Sequence, residues 1–386
     1  MWARKVDGVS GVRRSNTVLH SGAQMKCCRI IRRTLALFAV VAGIAAAQNV
    51  PLPSGPSPQP RNNTPQYSDE SASAEATCSD ENAQLPQTAP PAGVGRQALD
   101  DAWWTGPLLA PNASTLPRGH FLIEPYLYDV IGAHSNGFGS LTYINYGLAN
   151  RFTVGVIPTF GYNKLSTGLS SAGIGLGDVT VQGQFRLRQF HEGSWLPTIS
   201  ATVQETFPTG KYDQLGDRPS DGLGGGAFTT TVAIYTQTYF WMPNRRILRL
   251  RFNVSQAFSR EVSVEGVSVY GTGADFRGHA DPGTSSLVDA SWEYSVTRRW
   301  VLALDATYRY TANTRVVGNN TSEPSGVQNP DSVLVNLGSA ETSGFAPAVE
   351  YSWKSTIGVI VGTRVIPGGH NTPMTITPVI AINIVH

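Results

Sequence analysis

Charged residues, cysteines and long apolar runs are all scarce in this chain of 386 residues. Charged side chains make up 15% of the sequence, whereas soluble domains average about a quarter. After residue 47 no run is apolar for long enough to predict a transmembrane helix. A closed β-barrel is then the remaining way to cross a bilayer, because an open sheet would leave unpaired backbone groups in lipid.

Cysteine and histidine usage limits the chemistry of the chain. Of the three cysteines, Cys27, Cys28 and Cys78, only the last lies beyond the signal peptide that we predict below. A single thiol in an exported chain excludes an internal disulfide framework and a cysteine-based metal cluster. Four histidines are scattered without metal-ligand spacing: His120, His191, His370 and His386. The sequence therefore implies no cofactor.

Residues 1–47 read as an upstream extension followed by a secretory signal peptide. The apolar stretch 34–46 follows a basic stretch and ends in three alanines, so it resembles a signal peptide with a small-residue cleavage site. Met25 is the predicted true start. Removing residues 1–47 takes away eight of the 29 basic residues and one of the 27 acidic residues, which leaves 21 basic and 26 acidic residues. This balance gives no reason to expect a nucleic-acid partner.

Residues 48–117 are expected to form a flexible, disordered periplasmic leader. The part up to Gly95 is rich in Pro, Ser, Asn, Gln and Ala without periodicity, so it cannot bury enough apolar surface to fold. An aromatic patch at Trp103 and Trp104 and a proline-containing segment to Pro117 follow. Two interpretations of this second part stay open: a plug or clip at the mouth of the barrel, or a simple cover for the edge of the first strand.

The clearest pattern in the chain lies at residues 287–310, where two runs of strict alternation flank a charged turn. Successive side chains of a strand point to opposite faces. One face is apolar and carries aromatic residues at its ends, as in Trp300 and Tyr310, while the other carries Asp289, Glu293 and Asp305. Aromatic residues at both ends of an apolar row are typical of strands that cross a membrane.

About twelve such runs follow residue 118, and their connections alternate between short and long. Tight turns on one side and long loops on the other are typical of bacterial outer-membrane barrels. We therefore predict an all-β fold, a transmembrane antiparallel barrel over residues 118–386. The predicted strands are 120–130, 137–148, 151–162, 178–190, 195–207, 227–241, 247–258, 287–296, 300–310, 344–353, 356–366 and 372–386.

The same alternation points a set of charged side chains into the lumen. Their predicted role is either a selectivity path for solutes or pairing across strands in a filled interior, and the two interpretations are evenly balanced. The predicted lumen residues are Arg186, Arg188, Arg249, Arg251, Asp289, Glu293, Asp305, Arg309, Glu350 and Arg364.

A hydrolytic site at the rim is an alternative function. His134 and Ser135 are adjacent in one predicted outer loop, and His279, Asp281 and Ser285 or Ser286 fall together in another. Adjacent residues normally point apart, and His, Asp and Ser are common in loops for turn reasons. We therefore expect no enzyme activity and assign no catalytic residue.

Two motifs carry a family resemblance. The run IGLGDVTVQGQFRLR at 174–188 and the later strand end FPTGKY at 207–212 resemble the outer-membrane transporter family named for the MetA pathway of phenol degradation. The resemblance implies a barrel that passes aromatic or other apolar compounds, and it covers about residues 118–386. This chain ends in Ile384, Val385 and His386, whereas barrel chains commonly end in Phe, which the assembly machinery reads.

The expected function is therefore an outer-membrane channel or transporter for small solutes, with aromatic or hydrophobic compounds as candidates. A non-conducting structural or adhesive barrel is a further alternative. The expected localisation is the outer membrane of a Gram-negative bacterium. The expected partners are outer-membrane lipid, small-molecule solutes and the barrel-assembly machinery.

Overall fold

The computed structural model of the protein describes residues 95–320 and 332–386. No helix in these two ranges is long and apolar enough to cross a bilayer. Two 3₁₀ turns occur, at Leu99–Asp101 and Pro219–Asp221. The strands are β1 Phe121–Ile131, β2 Ser135–Ala149, β3 Phe152–Ile157, β4 Thr159–Leu165, β5 Gly175–Leu176, β6 Val179–Arg188, β7 Thr198–Phe207, β8 Thr229–Trp241, β9 Ile247–Ser259, β10 Val262–Glu265, β11 Phe276–Asp281, β12 Ser285–Ser295, β13 Trp300–Thr311, β14 Arg315–Asn320, β15 Ser332–Asn336, β16 Ala340–Lys354, β17 Ile357–Ile366 and β18 Thr375–Val385.

The larger of two sheets closes on itself, because β1 pairs with both β2 and β18. Strands β3 and β4 both pair with β2 and form one wall strand, interrupted at Pro158. Proline has no N–H to give to a ladder, so a break at this position is expected. The described residues thus form a closed antiparallel barrel of twelve wall strands, which confirms the predicted fold.

The two faces of the wall strands differ as the alternation predicted. On β13, Leu302 and Leu304 are 51% and 42% exposed on the outer face, while Val301 and Asp305 are fully buried on the inner face. On β12, Trp292 faces outward and Glu293 inward. Apolar side chains on the outside of a closed barrel are stabilised by lipid and not by a second protein layer.

Aromatic residues gather at both rims of the outer surface. At the rim with the tight turns, the rings of Trp300 and Tyr351 lie 4.6 Å apart between centroids. At the opposite rim, the rings of Phe207 and Phe228 lie 5.8 Å apart. Such girdles mark the two membrane interfaces of a spanning barrel.

We call the rim that carries the tight turns the turn end and the opposite rim the loop end. The two chain ends of the barrel meet at the turn end, where Phe121 and His386 exchange backbone hydrogen bonds of 2.9 Å in both directions. The predicted sorting of connections is confirmed, with two exceptions. The first connection at the loop end, between β1 and β2, spans only residues 132–134, and the turn-end connection between β6 and β7 spans residues 189–197.

The long loops contain a second sheet that the sequence analysis missed. Strands β10, β11, β14 and β15 form an antiparallel sheet from two connections in which no strand was predicted. Its apolar side packs into a cluster that includes Leu215, Val264, Phe276, Ala280 and Val316. The loop end therefore carries a folded sheet with its own apolar core.

Candidate functional site

Residues 96–117, which we call the inner segment, lie inside the barrel. Trp104 is 5% exposed, and Leu108, Ala110 and Ala113 are not exposed at all. The expectation of a flexible leader over 48–117 therefore does not describe this part, because the wall buries its side chains. Residues 1–94, with the predicted extension, signal peptide and first part of the leader, lie outside the described residues.

The inner segment enters and leaves at the turn end. The backbone N–H of Trp103 donates to the carbonyl of Arg298 over 2.8 Å. At its other end, the hydroxyl of Thr115 donates to the carbonyl of Asn150 over 2.9 Å. Both contacts are to tight turns between wall strands. The segment therefore runs up into the lumen and returns.

Two wall carboxylates hold the ascending part. Glu350 Oε2 accepts from the backbone N–H of Thr105 at 2.6 Å and of Gly106 at 3.0 Å. Asp305 accepts from the backbone N–H groups of Leu109 and Ala110, each at 3.2 Å. Hydrogen bonds to a charged acceptor are stronger than neutral ones. The inner segment belongs to no strand, and these side chains satisfy its backbone donors in place of a ladder.

Wall side chains also donate to backbone carbonyls at the top of the inner segment. Arg251 Nη1 donates to Ala110 at 2.7 Å, Asn253 Nδ2 to Pro111 at 2.9 Å, and Gln184 Nε2 to Asn112 at 2.8 Å. Arg251, Asn253 and Gln184 are all buried. Since a buried backbone carbonyl needs a partner, these three donors fix the position of the turn of the segment.

The remaining charge of this region is paired. Arg249 Nε donates to Glu293 Oε2 at 2.7 Å and makes a second contact to the other carboxylate oxygen. Arg251 Nε lies 3.1 Å from Glu293 Oε2. The Arg249 guanidinium also lies over the ring of Trp104, 4.4 Å from its centroid. Buried charges need such partners, because burial removes their hydration.

Glycines of the wall leave room for the inner segment. A Cβ on Gly362 would lie 2.5 Å from Leu108 Cδ1, and a Cβ on Gly147 would lie 1.9 Å from the carbonyl oxygen of Pro117. Both distances are far below van der Waals contact. A larger side chain at Gly147 would meet backbone and displace the segment, whereas one at Gly362 would require the Leu108 side chain and the wall at Pro347 to shift.

A cavity of about 540 Å³ occupies the rest of the lumen. Its lining reaches from the loop-end residues Gly132 and Pro373 to Leu109 and Pro111 of the inner segment, which form its floor. Threonines and tyrosines make up much of the wall. We call this cavity the vestibule.

The structure divides the ten predicted lumen residues into three groups. Arg249, Arg251, Glu293, Asp305 and Glu350 surround the inner segment, whereas Asp289, Arg309 and Arg364 line the vestibule. Arg186 and Arg188 lie apart from both groups at the turn end, where they donate to the Asn150 carbonyl and the Ser194 hydroxyl. A register shift between Arg186 and Arg188 interrupts the alternation there.

One buried carboxylate was missed. Glu124 of β1 is 1% exposed, and its Oε1 accepts from Asn383 Nδ2 of β18 at 3.0 Å. The sequence offered no clear signal, because apolar residues predominate on both faces of β1 and β18. Their inner faces contribute Tyr126, Val379 and Ala381 to the apolar core of the lumen.

Within the described residues, the hydroxyls of Ser285 and Ser286 are hydrogen-bonded to side chains other than His279. The hydroxyl of Ser285 pairs with Thr311, and that of Ser286 with Gln256. His279 Nδ1 lies 3.6 Å from Glu261 on the exposed face of β11. Across residues 95–320 and 332–386, no group of three His, Cys, Asp or Glu side chains is arranged to hold a metal ion.

The two sequence motifs meet in the structure. Asp178 Oδ1 accepts from the backbone N–H of Gly210 at 3.0 Å, and Oδ2 accepts from that of Gly225 at 2.7 Å. The hydroxyl of Thr209 donates to the carbonyl of Gly177 at 2.8 Å. Burial raises the pKa of Asp178, and the hydrogen bonds from the backbone oppose that rise. The Gly-Asp and Pro-Thr-Gly motifs thus form one loop anchor above the barrel wall.

No protein-family profile and no curated protein sequence matches the chain. The MetA-type resemblance therefore stays a prediction. Among solved structures, the COG4313 outer membrane channel from Pseudomonas putida F1 is similar, with 14% identity and a TM-score of 0.54 over 71% of this chain and 98% of that one. The NanC porin has 8% identity and a TM-score of 0.38, over 68% of this chain and 98% of the porin. The CymD monoaromatic hydrocarbon channel has 9% identity and a TM-score of 0.34, over 70% of this chain and 88% of that channel.

The first of these similarities supports the fold that the strand pairing defines. A closed antiparallel barrel with an apolar outer surface, aromatic rims and a polar interior is the architecture of bacterial outer-membrane proteins. The chain is accordingly a β-barrel protein of the bacterial outer membrane.

Proposed function

We propose that the protein is an outer-membrane channel for small solutes, and that the inner segment is its gate. The supporting observation is the vestibule of about 540 Å³, which ends at Leu109 and Pro111. Solute enters from the loop end, and passage requires that the inner segment move aside. Outer-membrane lipid and the barrel-assembly machinery are the partners that this role implies.

The way in which the inner segment is held supports movement. Its residues 105–112 are held by side-chain hydrogen bonds, donated to Glu350 and Asp305 and accepted from Arg251, Asn253 and Gln184. Each such bond contributes only about 0.5–3 kcal/mol net. A segment held in this way can leave without disturbing a wall strand, because it pairs with none of the described strands.

The vestibule charges are the proposed selectivity residues. Arg309, Arg364 and Asp289 line the path of the solute together with Asp178 of the loop anchor, so wall charges of both signs act on a passing ion. The charges around the inner segment are engaged with each other or with its backbone. We therefore assign selectivity to the three vestibule residues and gating to the others.

Conductance in planar bilayers tests this proposal. The purified protein should show discrete current steps with a defined ion selectivity. Arg309→Glu combined with Arg364→Glu should shift that selectivity toward cations, whereas Arg315→Glu, at an exposed residue of β14, should not. A complete lack of current under all conditions would contradict the channel and favour the non-conducting barrel.

A further inference from the structure

The vestibule wall contains a buried guanidinium whose Nε has no hydrogen-bond partner among the described residues. Arg364 of β17 is 9% exposed and lines the cavity. Within the described residues its Nε has no hydrogen-bond partner, and Asp289 and Asp305 act on it through charge. A buried donor without an acceptor costs free energy. The position therefore suits a ligand that brings its own acceptor.

A second guanidinium lines the same cavity. Arg309 of β13 also lines the vestibule, and it is an electrostatic neighbour of Arg364. Asp305 is engaged with the backbone of the inner segment. Asp289 and Asp178 line the same cavity. Because both guanidinium groups belong to the cavity wall, a ligand carboxylate can accept hydrogen bonds from them.

An apolar surface adjoins the guanidinium groups. Arg364 pairs across strands with Thr377 of β18. Val379 lies two residues further along β18 and pairs with Tyr128 of β1. Residues two apart share a face and lie about 7 Å apart along a strand. The Tyr128 ring lies against Gly139, where an added Cβ would come within 2.4 Å of it. The wall is therefore shaped to present this ring and Val379 to the vestibule.

We propose that the vestibule binds small aromatic monocarboxylates. The carboxylate is held by Arg364 and Arg309, and the ring packs on Tyr128 and Val379. Arginine suits this role because its planar fork matches the two oxygens of a carboxylate. The inference deepens the proposed channel function by naming a class of solute, and it distinguishes such acids from neutral hydrocarbons.

Equilibrium binding to the detergent-purified protein tests the proposal without requiring conduction. The probe is benzoate, compared with benzyl alcohol, which lacks the charge, and acetate, which lacks the ring. Benzoate should bind saturably, and each comparison compound should bind at least about tenfold more weakly, since tenfold corresponds to one lost favourable contact. Equal binding of benzyl alcohol, or no saturable binding of benzoate, would overturn the proposal.

Two substitutions separate the carboxylate contact from the ring contact. Arg364→Gln should weaken benzoate binding about tenfold or more, whereas Tyr128→Ala should weaken benzoate binding and leave acetate binding unchanged. The control Arg315→Gln should bind like the parent protein. Folding of each variant is checked by its heat-dependent shift in gel mobility, and Arg364→Lys serves if the glutamine variant does not fold. An unchanged affinity in folded Arg364→Gln or Arg364→Lys would refute the assignment.

The outcome is separable from that of the channel proposal. Current steps without benzoate binding would remove the ligand assignment and leave the channel. Benzoate binding without current would support the site and remove the channel.

Discussion

The carboxylate of Glu350 accepts a hydrogen bond from the backbone N–H of Thr105 over 2.6 Å, across 245 residues of sequence. The same Oε2 atom accepts from the Thr105 hydroxyl at 2.8 Å and from the N–H of Gly106 at 3.0 Å. One wall oxygen therefore collects three donors of the inner segment. This makes Glu350 the strongest single anchor of the gate.

Glu350→Gln should open the gate more often. Glutamine keeps the volume but removes the charge, and hydrogen bonds to charged groups contribute about 1.5–3 kcal/mol. We expect the open probability in planar bilayers to rise about tenfold or more, since each tenfold step is about 1.4 kcal/mol. Glu341→Gln, which alters an exposed contact to Tyr308 at the outer surface, is the control. An open probability that stays at the parent value would show that Glu350 does not hold the gate.

Glu293→Gln should destabilise the barrel. It leaves the buried guanidinium groups of Arg249 and Arg251 without their shared carboxylate. Breaking a buried pair typically costs about 3–5 kcal/mol. The variant should lose its folded gel mobility at a markedly lower temperature than the parent.

The matched control for Glu293→Gln is Glu265→Gln. Glu265 pairs with Arg277 at 2.7 Å on the loop sheet, where both side chains are largely exposed. Exposed pairs contribute little, because water screens them. Equal thermal shifts in the two variants would argue against a structural role for the buried cluster.

Gly147→Ala should displace the descending end of the inner segment. The added Cβ would meet the carbonyl oxygen of Pro117 at 1.9 Å, and that oxygen belongs to backbone. We expect faster proteolytic cleavage within residues 96–117 of the folded protein. Gly173→Ala is the control, since a Cβ there has no neighbour within 4 Å. Identical cleavage rates in both variants would refute the close packing.

Asp178→Ala should loosen the loop anchor. Its carboxylate accepts from the N–H groups of Gly210 and Gly225, and a buried donor that loses its acceptor costs about 1–3 kcal/mol. Amide hydrogen exchange at these two glycines should accelerate, with Asp178→Asn intermediate because the amide oxygen still accepts. The strand amides of β6 should keep their protection, and a loss of protection there would mean that Asp178 supports the barrel and not the loop.

The sequence sufficed for the wall and not for the interior. Alternation identifies a strand wherever one face meets lipid and the other meets polar groups, as in β12 and β13. In β1 and β18 it predicts the strand but not which face turns inward, because much of their inner faces is apolar and packs in the core of the lumen. The inner segment shows no alternation of apolar and polar residues. Its position depends on Glu350 and Asp305, which lie about 200 residues or more further along the chain.

Facing direction alone could not assign roles to the charged residues. The alternation predicts that Arg249 and Arg364 both point inward, but not that one is paired with Glu293 and the other lines a cavity. That difference depends on where the inner segment ends, at Leu109 and Pro111. The pairing with Glu293 also makes the double substitution Arg249→Glu and Arg251→Glu a poor test of ion selectivity. The two new carboxylates would share one buried site with Glu293.

A reversible disulfide between the inner segment and the wall tests the gate most directly. A Cβ on Gly358 would lie 2.1 Å from Thr105 Cγ2, which is one bond from the Thr105 Cβ, so the two Cβ atoms lie near the short end of the separation of about 3.5–4.5 Å that a disulfide requires. The variant carries Thr105→Cys and Gly358→Cys with Cys78→Ser. In planar bilayers it should be silent when oxidised and conduct after reduction, while Thr105→Cys alone should not respond. Equal conductance in the oxidised and reduced protein would contradict the account.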